Sequence, residues 1–96
     1  MRLVLSRLAL AELDDILGFI RARSPLGAKN VETRMRRAFD HIANHPEAAE
    51  RVEQRPSVRR LPLARYPYVI YYEGGAEQVT ILRILHDARR QPWSDS

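Results

Sequence analysis

The sequence has no cysteine, which removes both a disulfide framework and any thiolate metal site. Its glycines are few: Gly18 and Gly27 stand alone and Gly74-Gly75 forms a turn signal, so there is no glycine-rich phosphate loop. No serine sits in a GxSxG context or anything comparable. No apolar run approaches the roughly 20 residues of a membrane span. The opening Met1-Arg2-Leu3-Val4-Leu5-Ser6 is too short an apolar run for a signal peptide, so a soluble, cytoplasmic protein is expected. Three histidines, His41, His45 and His86, have no thiol companions. His41 and His45 are four apart but lack the HExxH pattern, and read as a solvated helix end. Neither a metal nor an organic cofactor is expected.

What remains is an ordinary globular composition, 45% hydrophobic and 29% charged, too apolar for disorder. Ninety-six residues support one core, hence a single domain spanning 1–96. Sixteen basic residues oppose twelve acidic ones for a net charge of +4. Lys29 is the only lysine; the other fifteen are arginines. Arginine pairs bidentately with phosphates and carboxylates and stacks on bases. Codon usage in a GC-rich genome accounts for the arginine-to-lysine ratio but not for the positive excess. That excess suits a nucleic-acid, ribosomal or acidic protein partner.

Hydrophobic periodicity gives the layout. Residues 2–5 read as a short strand ended by Ser6. A helix over 7–23 follows, with Ala9, Leu13, Ile16, Leu17 and Ile20 on one face; Ser6 is its expected N-cap, and Arg21 and Arg23 suit its C-terminal dipole. Ser24-Pro25 opens a second helix, 25–44, with Ala28, Val31, Met35, Phe39 and Ile42 inward and Lys29, Glu32, Arg36 and Arg37 solvated. His45-Pro46 stops it. Three strands are predicted next, at 57–63, 66–73 and 77–86. Pro62 argues for an edge or bulge, and Gly74-Gly75 for a hairpin. Val79–Leu85, interrupted only by Arg83, reads as a central strand covered on both faces. The class is α+β in two layers: an N-terminal strand, a helical hairpin, then a three-stranded antiparallel meander in one sheet. The expected core comprises Leu13, Ile16, Leu17, Ile20, Val31, Met35, Phe39, Ile42, Ile70, Ile81 and Ile84.

Two constellations carry chemistry. Arg55, Arg59, Arg60 and Arg65 lead into Tyr66, Tyr68, Tyr71 and Tyr72. Basic groups beside aromatic rings form a usual RNA-contacting surface, although tyrosines building a sheet core, solvated by arginines, is the favoured reading of these residues alone. Arg59 and Arg60, adjacent in a strand, must face opposite ways. The second is His86-Asp87-Ala88-Arg89-Arg90-Gln91-Pro92-Trp93, leaving the last strand. His86 is a candidate general acid or base, with Arg89 or Arg90 to stabilise a crowded phosphate. The competing reading makes His86 a hydrogen-bonded structural residue with Asp87 its ion-pairing neighbour.

Taken in order, Leu5-Ser6 with Ala9, Leu13 and Ile16, the second helix with Pro46, Val58-Arg59-Arg60-Leu61-Pro62-Leu63, Tyr68-Val69-Ile70-Tyr71-Tyr72, and Val79 through Arg89 resemble the ParE/RelE superfamily of toxins from type II toxin–antitoxin (plasmid stabilisation) systems. The resemblance runs from residue 2 to 93. It implies a sheet packed against a helical hairpin and an antitoxin wrapped around it in a hetero-oligomer. RelE-like members cut messenger RNA on the ribosome; in that case His86 transfers the proton while Arg65 and Arg89 bind phosphate. ParE-like members bind and inhibit DNA gyrase and are not nucleases. The ParE-like function is favoured here: Tyr68 stands where RelE-like nucleases place an arginine, their lysine-rich helix has no counterpart, and their C-terminal tyrosine is absent, with Trp93 nearby. Arg59, Arg60, Arg65, Arg89, Arg90 and Trp93 are then the expected contacts with target or antitoxin. An acidic amphipathic antitoxin segment is expected to neutralise a face including Arg59, Arg60 or Arg65.

Overall fold

Ser6 is the hinge between strand and helix in the computed structural model, which describes residues 1–87. Strand β1 (Arg2–Leu5) ends there, and helix α1 (Arg7–Arg23) begins. The Ser6 hydroxyl accepts from the Ala9 amide at 3.0 Å and donates to the Leu82 carbonyl at 2.9 Å. It therefore caps the helix and ties it to the sheet at once. At the other end the Arg23 guanidinium donates to the Phe19 carbonyl at 3.2 Å and lies 3.8 Å from the Phe19 ring centre, satisfying a terminal carbonyl and complementing the helix dipole.

Ser24 alone joins α1 to α2 (Pro25–Asn44). Its backbone is extended, as the residue before proline must be, and its amide donates to the Ile20 carbonyl at 2.7 Å. Its hydroxyl accepts from the Gly27 amide at 2.9 Å. A Cβ on Gly27 would meet that hydroxyl at 3.0 Å, so the short link depends on glycine there. His45 caps α2 through its amide to the His41 carbonyl, and Pro46 ends the helix. Both helices thus occupy the expected bounds.

Strands β2 (Glu50–Val52), β3 (Arg55–Pro62), β4 (Tyr68–Gly74) and β5 (Gln78–His86) complete one sheet, in the order β1-β5-β4-β3-β2. Neighbours within β2–β5 are antiparallel, whereas β1 lies parallel to β5. The α+β class and the strand–hairpin–sheet order are as expected. Strand β2 is an addition: three residues, two of them charged, carry no readable alternation. β3 begins at Arg55 and β4 at Tyr68 rather than at 57 and 66. Pro62 pairs only with β4, because β2 reaches no further than Arg60, so the missing amide costs no hydrogen bond. The β4–β5 turn uses no positive φ. The Gly75 amide donates to the Gln78 carbonyl at 2.7 Å, and a Cβ on Gly75 would approach that oxygen to 3.2 Å.

The helices cover one sheet face. Leu17, Val31, Met35, Ile42, Ile70, Ile81 and Ile84 are buried there as expected, with Leu13, Ile16, Ile20 and Phe39 partly buried around them. Tyr72, Val79 and Leu63 join that core. The opposite face holds a second cluster of Val52, Val58, Val69, Tyr71 and Leu85. Ile81 and Ile84 are three residues apart and cannot share a face in a regular strand. A β-bulge resolves this: Tyr71 pairs with Arg83 but Tyr72 pairs with Ile81, leaving Leu82 as the extra residue.

The bulge exposes backbone groups where β1 has already ended. Glu12 on α1 fills the gap. Its carboxylate accepts from the Ile84 amide at 2.9 Å, from Arg83 Nε at 3.0 Å and from Arg83 Nη2 at 2.7 Å. The side chains of Glu12 and Arg83 are 14% and 25% exposed, dry enough for truncation of one to strand the other. Glu12→Ala is expected to lower stability by about 3 kcal/mol, leaving a shielded guanidinium unpaired and an amide unsatisfied. Urea denaturation of the variant against wild type measures it. Ser6→Ala should cost about 1–2 kcal/mol by the same assay, since cap and cross-link go together.

Candidate functional site

The end of β5 presents the histidine singled out in the sequence. His86 pairs with Tyr68 across β4–β5, and the two rings meet edge to face at 5.8 Å. His86 Nδ1 is 3.4 Å from the Asp87 carboxylate, and the Asp87 amide donates to the Pro67 carbonyl at 2.8 Å. Beside them a shallow cleft of about 110 Å³ runs between α1 and β5, lined by Glu12, Asp15, Ile16, Tyr68 and His86 among others. Its charged walls are carboxylates. The nearest strand arginine, Arg83, is engaged by Glu12.

Arg59 and Arg60 face opposite ways, as strand geometry requires, and both have internal work. Arg59 pairs with Tyr72 on the helix side and donates to the Ala49 carbonyl at 2.7 Å. Arg60 pairs with Tyr71 on the other face and lies 3.4 Å from Glu50, with its Nε buried and unpartnered. Tyr72, 1% exposed, donates its hydroxyl to the Pro46 carbonyl at 2.8 Å. Arg59 and Tyr72 together pin the segment leaving α2. Tyr71 and Tyr72 are thus core residues, whereas Tyr66 and Tyr68 remain partly accessible.

Arg65 is separate from all of these. It sits in the β3–β4 loop with φ of 73°, the left-handed region that disfavours a side chain. It lines a recess of about 290 Å³ with Tyr66 and with Asn30, Thr33, Arg34 and Arg37 of α2. This recess shares no lining residue with the His86 cleft, so Arg65 and His86 are not brought together. Arg89, Arg90 and Trp93 lie outside the described residues. Sequence reasoning missed Glu12 and Arg34, and left Arg37 as a solvated residue. The spacing of Asn30, Arg34, Arg37 and His41 at i, i+4, i+7 and i+11 was a readable stripe; its convergence with Arg65 was not. Among the described residues no group of three or more His, Cys, Asp or Glu side chains is arranged to hold a metal, and no helix is long and apolar enough to cross a membrane.

The site thus stands on a five-stranded sheet, with parallel β1 at its edge, under a helical hairpin. The family model for the ParE toxin of type II toxin–antitoxin systems, parDE, matches residues 3–91, and the chain belongs to that family. It is 36% identical over 84 residues to a putative toxin, Y4kP, of Sinorhizobium fredii (strain NBRC 101917 / NGR234), covering 88% of this chain and 85% of the relative. It is 37% identical over 81 residues to toxin RelE2 of Caulobacter vibrioides, covering 84% and 89% respectively. A solved structure of the chromosomal ParDE TA system from P. aeruginosa superimposes with a TM-score of 0.77 at 26% identity, over 90% of this chain and 95% of that one.

Burial holds the Tyr72 hydroxyl above the ordinary phenol value of 10.0, with the Ala49 backbone and the Arg59 charge pulling partly back. A raised folded-state pKa means that the neutral phenol's contribution is complete below pH 10 and is lost as pH climbs through the folded value. Tyr72→Phe should cost about 1 kcal/mol at neutral pH through the lost hydrogen bond. It should also lose stability less steeply than wild type above pH 10, which denaturant titrations across the alkaline range would show.

Proposed function

We propose that this toxin acts by binding DNA gyrase and inhibiting it, not by cutting messenger RNA, and that a cognate antitoxin neutralises it in a hetero-oligomer. The observation that carries this reading is the charge of the described residues lining the cleft beside His86. Cleavage by attack of a ribose 2′-hydroxyl on its own phosphate needs cations where the negative charge develops. The His86 cleft instead faces Glu12 and Asp15, has Asp87 beside the imidazole, and among its described lining residues has no arginine. Among the described residues a phosphate entering it meets the Asp15 carboxylate and a Glu12 carboxylate already held by Arg83. The cleft suits a basic or hydrogen-bonding protein surface better than an RNA strand.

The membership in the ParE toxin family supports the same choice. On the toxin's outer surface Leu8, Leu10, Phe19 and Leu26 are each at least half exposed. Such residues suit the apolar side of an amphipathic antitoxin segment. Arg59 and Arg60, two of the three arginines expected to meet its acidic side, are occupied internally.

The test compares purified gyrase, in supercoiling and DNA-cleavage assays, with ribosomes programmed with a defined messenger, using toxin with and without antitoxin. Gyrase should be inhibited with cleavage complexes trapped, the messenger should stay intact, and His86→Ala should alter gyrase inhibition by less than about threefold. Messenger cut on ribosomes by wild type and spared by His86→Ala would overturn the proposal and make His86 and Arg89 the first residues to test for catalysis.

A further inference from the structure

The recess between α2 and the β3–β4 loop is not used by the reading above. Arg34 and Arg37 stand three residues apart on one helix face, about 4.5 Å along the axis, close enough to hold one phosphate between them. Arg65 meets them from the loop, and Tyr66 supplies an aromatic wall. Among the described residues none of these three guanidiniums has an ion-pair or hydrogen-bond partner. By contrast Arg36, Arg60 and Arg83 each have a glutamate. Three like charges from two elements, converging without a counter-charge, are held against their own repulsion.

The backbone at Arg65 adds an independent sign. A left-handed φ of 73° is a conformation that glycine adopts freely and arginine does not. Strain of this kind persists where the side chain it carries has a use, and here that side chain joins Arg34 and Arg37. We propose that the recess binds the phosphodiester backbone of a nucleic-acid strand, the guanidiniums gripping phosphate and Tyr66 stacking on a base. The inference does not depend on the gyrase reading, because binding is read without any target enzyme.

An acidic helix is the competing polyanion, and the walls argue against it. A docked amphipathic helix needs an apolar floor for its i, i+3 and i+4 anchors. Every residue lining this recess, Tyr66 included, ends in a polar group, so the recess itself offers no such floor. Asn30 and Thr33 beside the arginines suit phosphate and sugar oxygens.

The experiment is fluorescence anisotropy of a labelled single-stranded DNA oligonucleotide, and of RNA of the same sequence, titrated with the full chain over a range of salt. A labelled poly-glutamate peptide serves as the competing probe. Wild type should bind at least one of the nucleic acids. The triple variant Arg34→Gln, Arg37→Gln, Arg65→Gln should weaken that binding at least about tenfold and reduce the log–log salt slope by about 2, three contacts each contributing roughly 0.7 for a single strand. A variant with the same loss of charge at exposed Arg2, Arg21 and Arg36 should bind as wild type. Arg65→Gly should raise the melting temperature while weakening binding, opposite signs that a merely structural residue would not give. Binding to DNA, RNA or both identifies the strand. Equal loss in both triple variants would reduce the effect to bulk charge and overturn the proposal. So would capture of poly-glutamate with neither nucleic acid bound.

Discussion

One carboxylate holds the helical hairpin to the sheet. β1 stops at Leu5, so β5 runs on past Ile81 with no strand on that side. The bulge that puts Ile81 and Ile84 on the same face leaves backbone groups turned toward that empty edge. Buried polar groups without partners cost more than a made hydrogen bond returns, and the sequence supplies both partners from the first turns of α1. Ser6 takes the Leu82 carbonyl and Glu12 takes the Ile84 amide together with Arg83. The same two residues join α1 to β5 beside the His86 cleft, which Glu12 lines.

The same attachment decides what the C-terminal end of β5 can do. Arg83 is the strand's own arginine, three residues before His86. Bidentate pairing with Glu12 engages its guanidinium within the fold. Among the described residues the cleft beside His86 is therefore lined by the carboxylates of Glu12 and Asp15, while Arg34, Arg37 and Arg65 line a separate recess between α2 and the β3–β4 loop. A net charge of +4 describes neither surface.

The helices were legible because their ends are written locally: Ser6, Ser24-Pro25 and His45-Pro46 each act within four residues of the backbone groups they serve. The strands were legible from β-branched and aromatic runs, except for Glu50–Val52, which is held by pairing with β3 and has no pattern of its own. Placing Ile81 and Ile84 in one core was right, yet it conflicts with strict alternation. A strand buried on both faces hides the conflict, so the bulge could not be read. The site was less legible. Alternation separated Arg59 from Arg60, but nothing local shows that Ala49 and Glu50 would occupy them. Arg34, Arg37 and Arg65 line one recess from a helix and a loop far apart in sequence, and the loop residue holds a left-handed φ that no local pattern announces.

The central claim is that Arg83 belongs to the fold and not to the chemistry. Hydrogen exchange followed by NMR at two protons, Arg83 Nε–H and the Ile84 amide, tests it most directly. Both donate to Glu12 and should exchange slowly, through one shared opening. In Glu12→Gln both should speed up together. Rapid, independent exchange at Arg83 Nε–H in the native protein would contradict the claim, because a guanidinium free of Glu12 would be available to a phosphate beside His86.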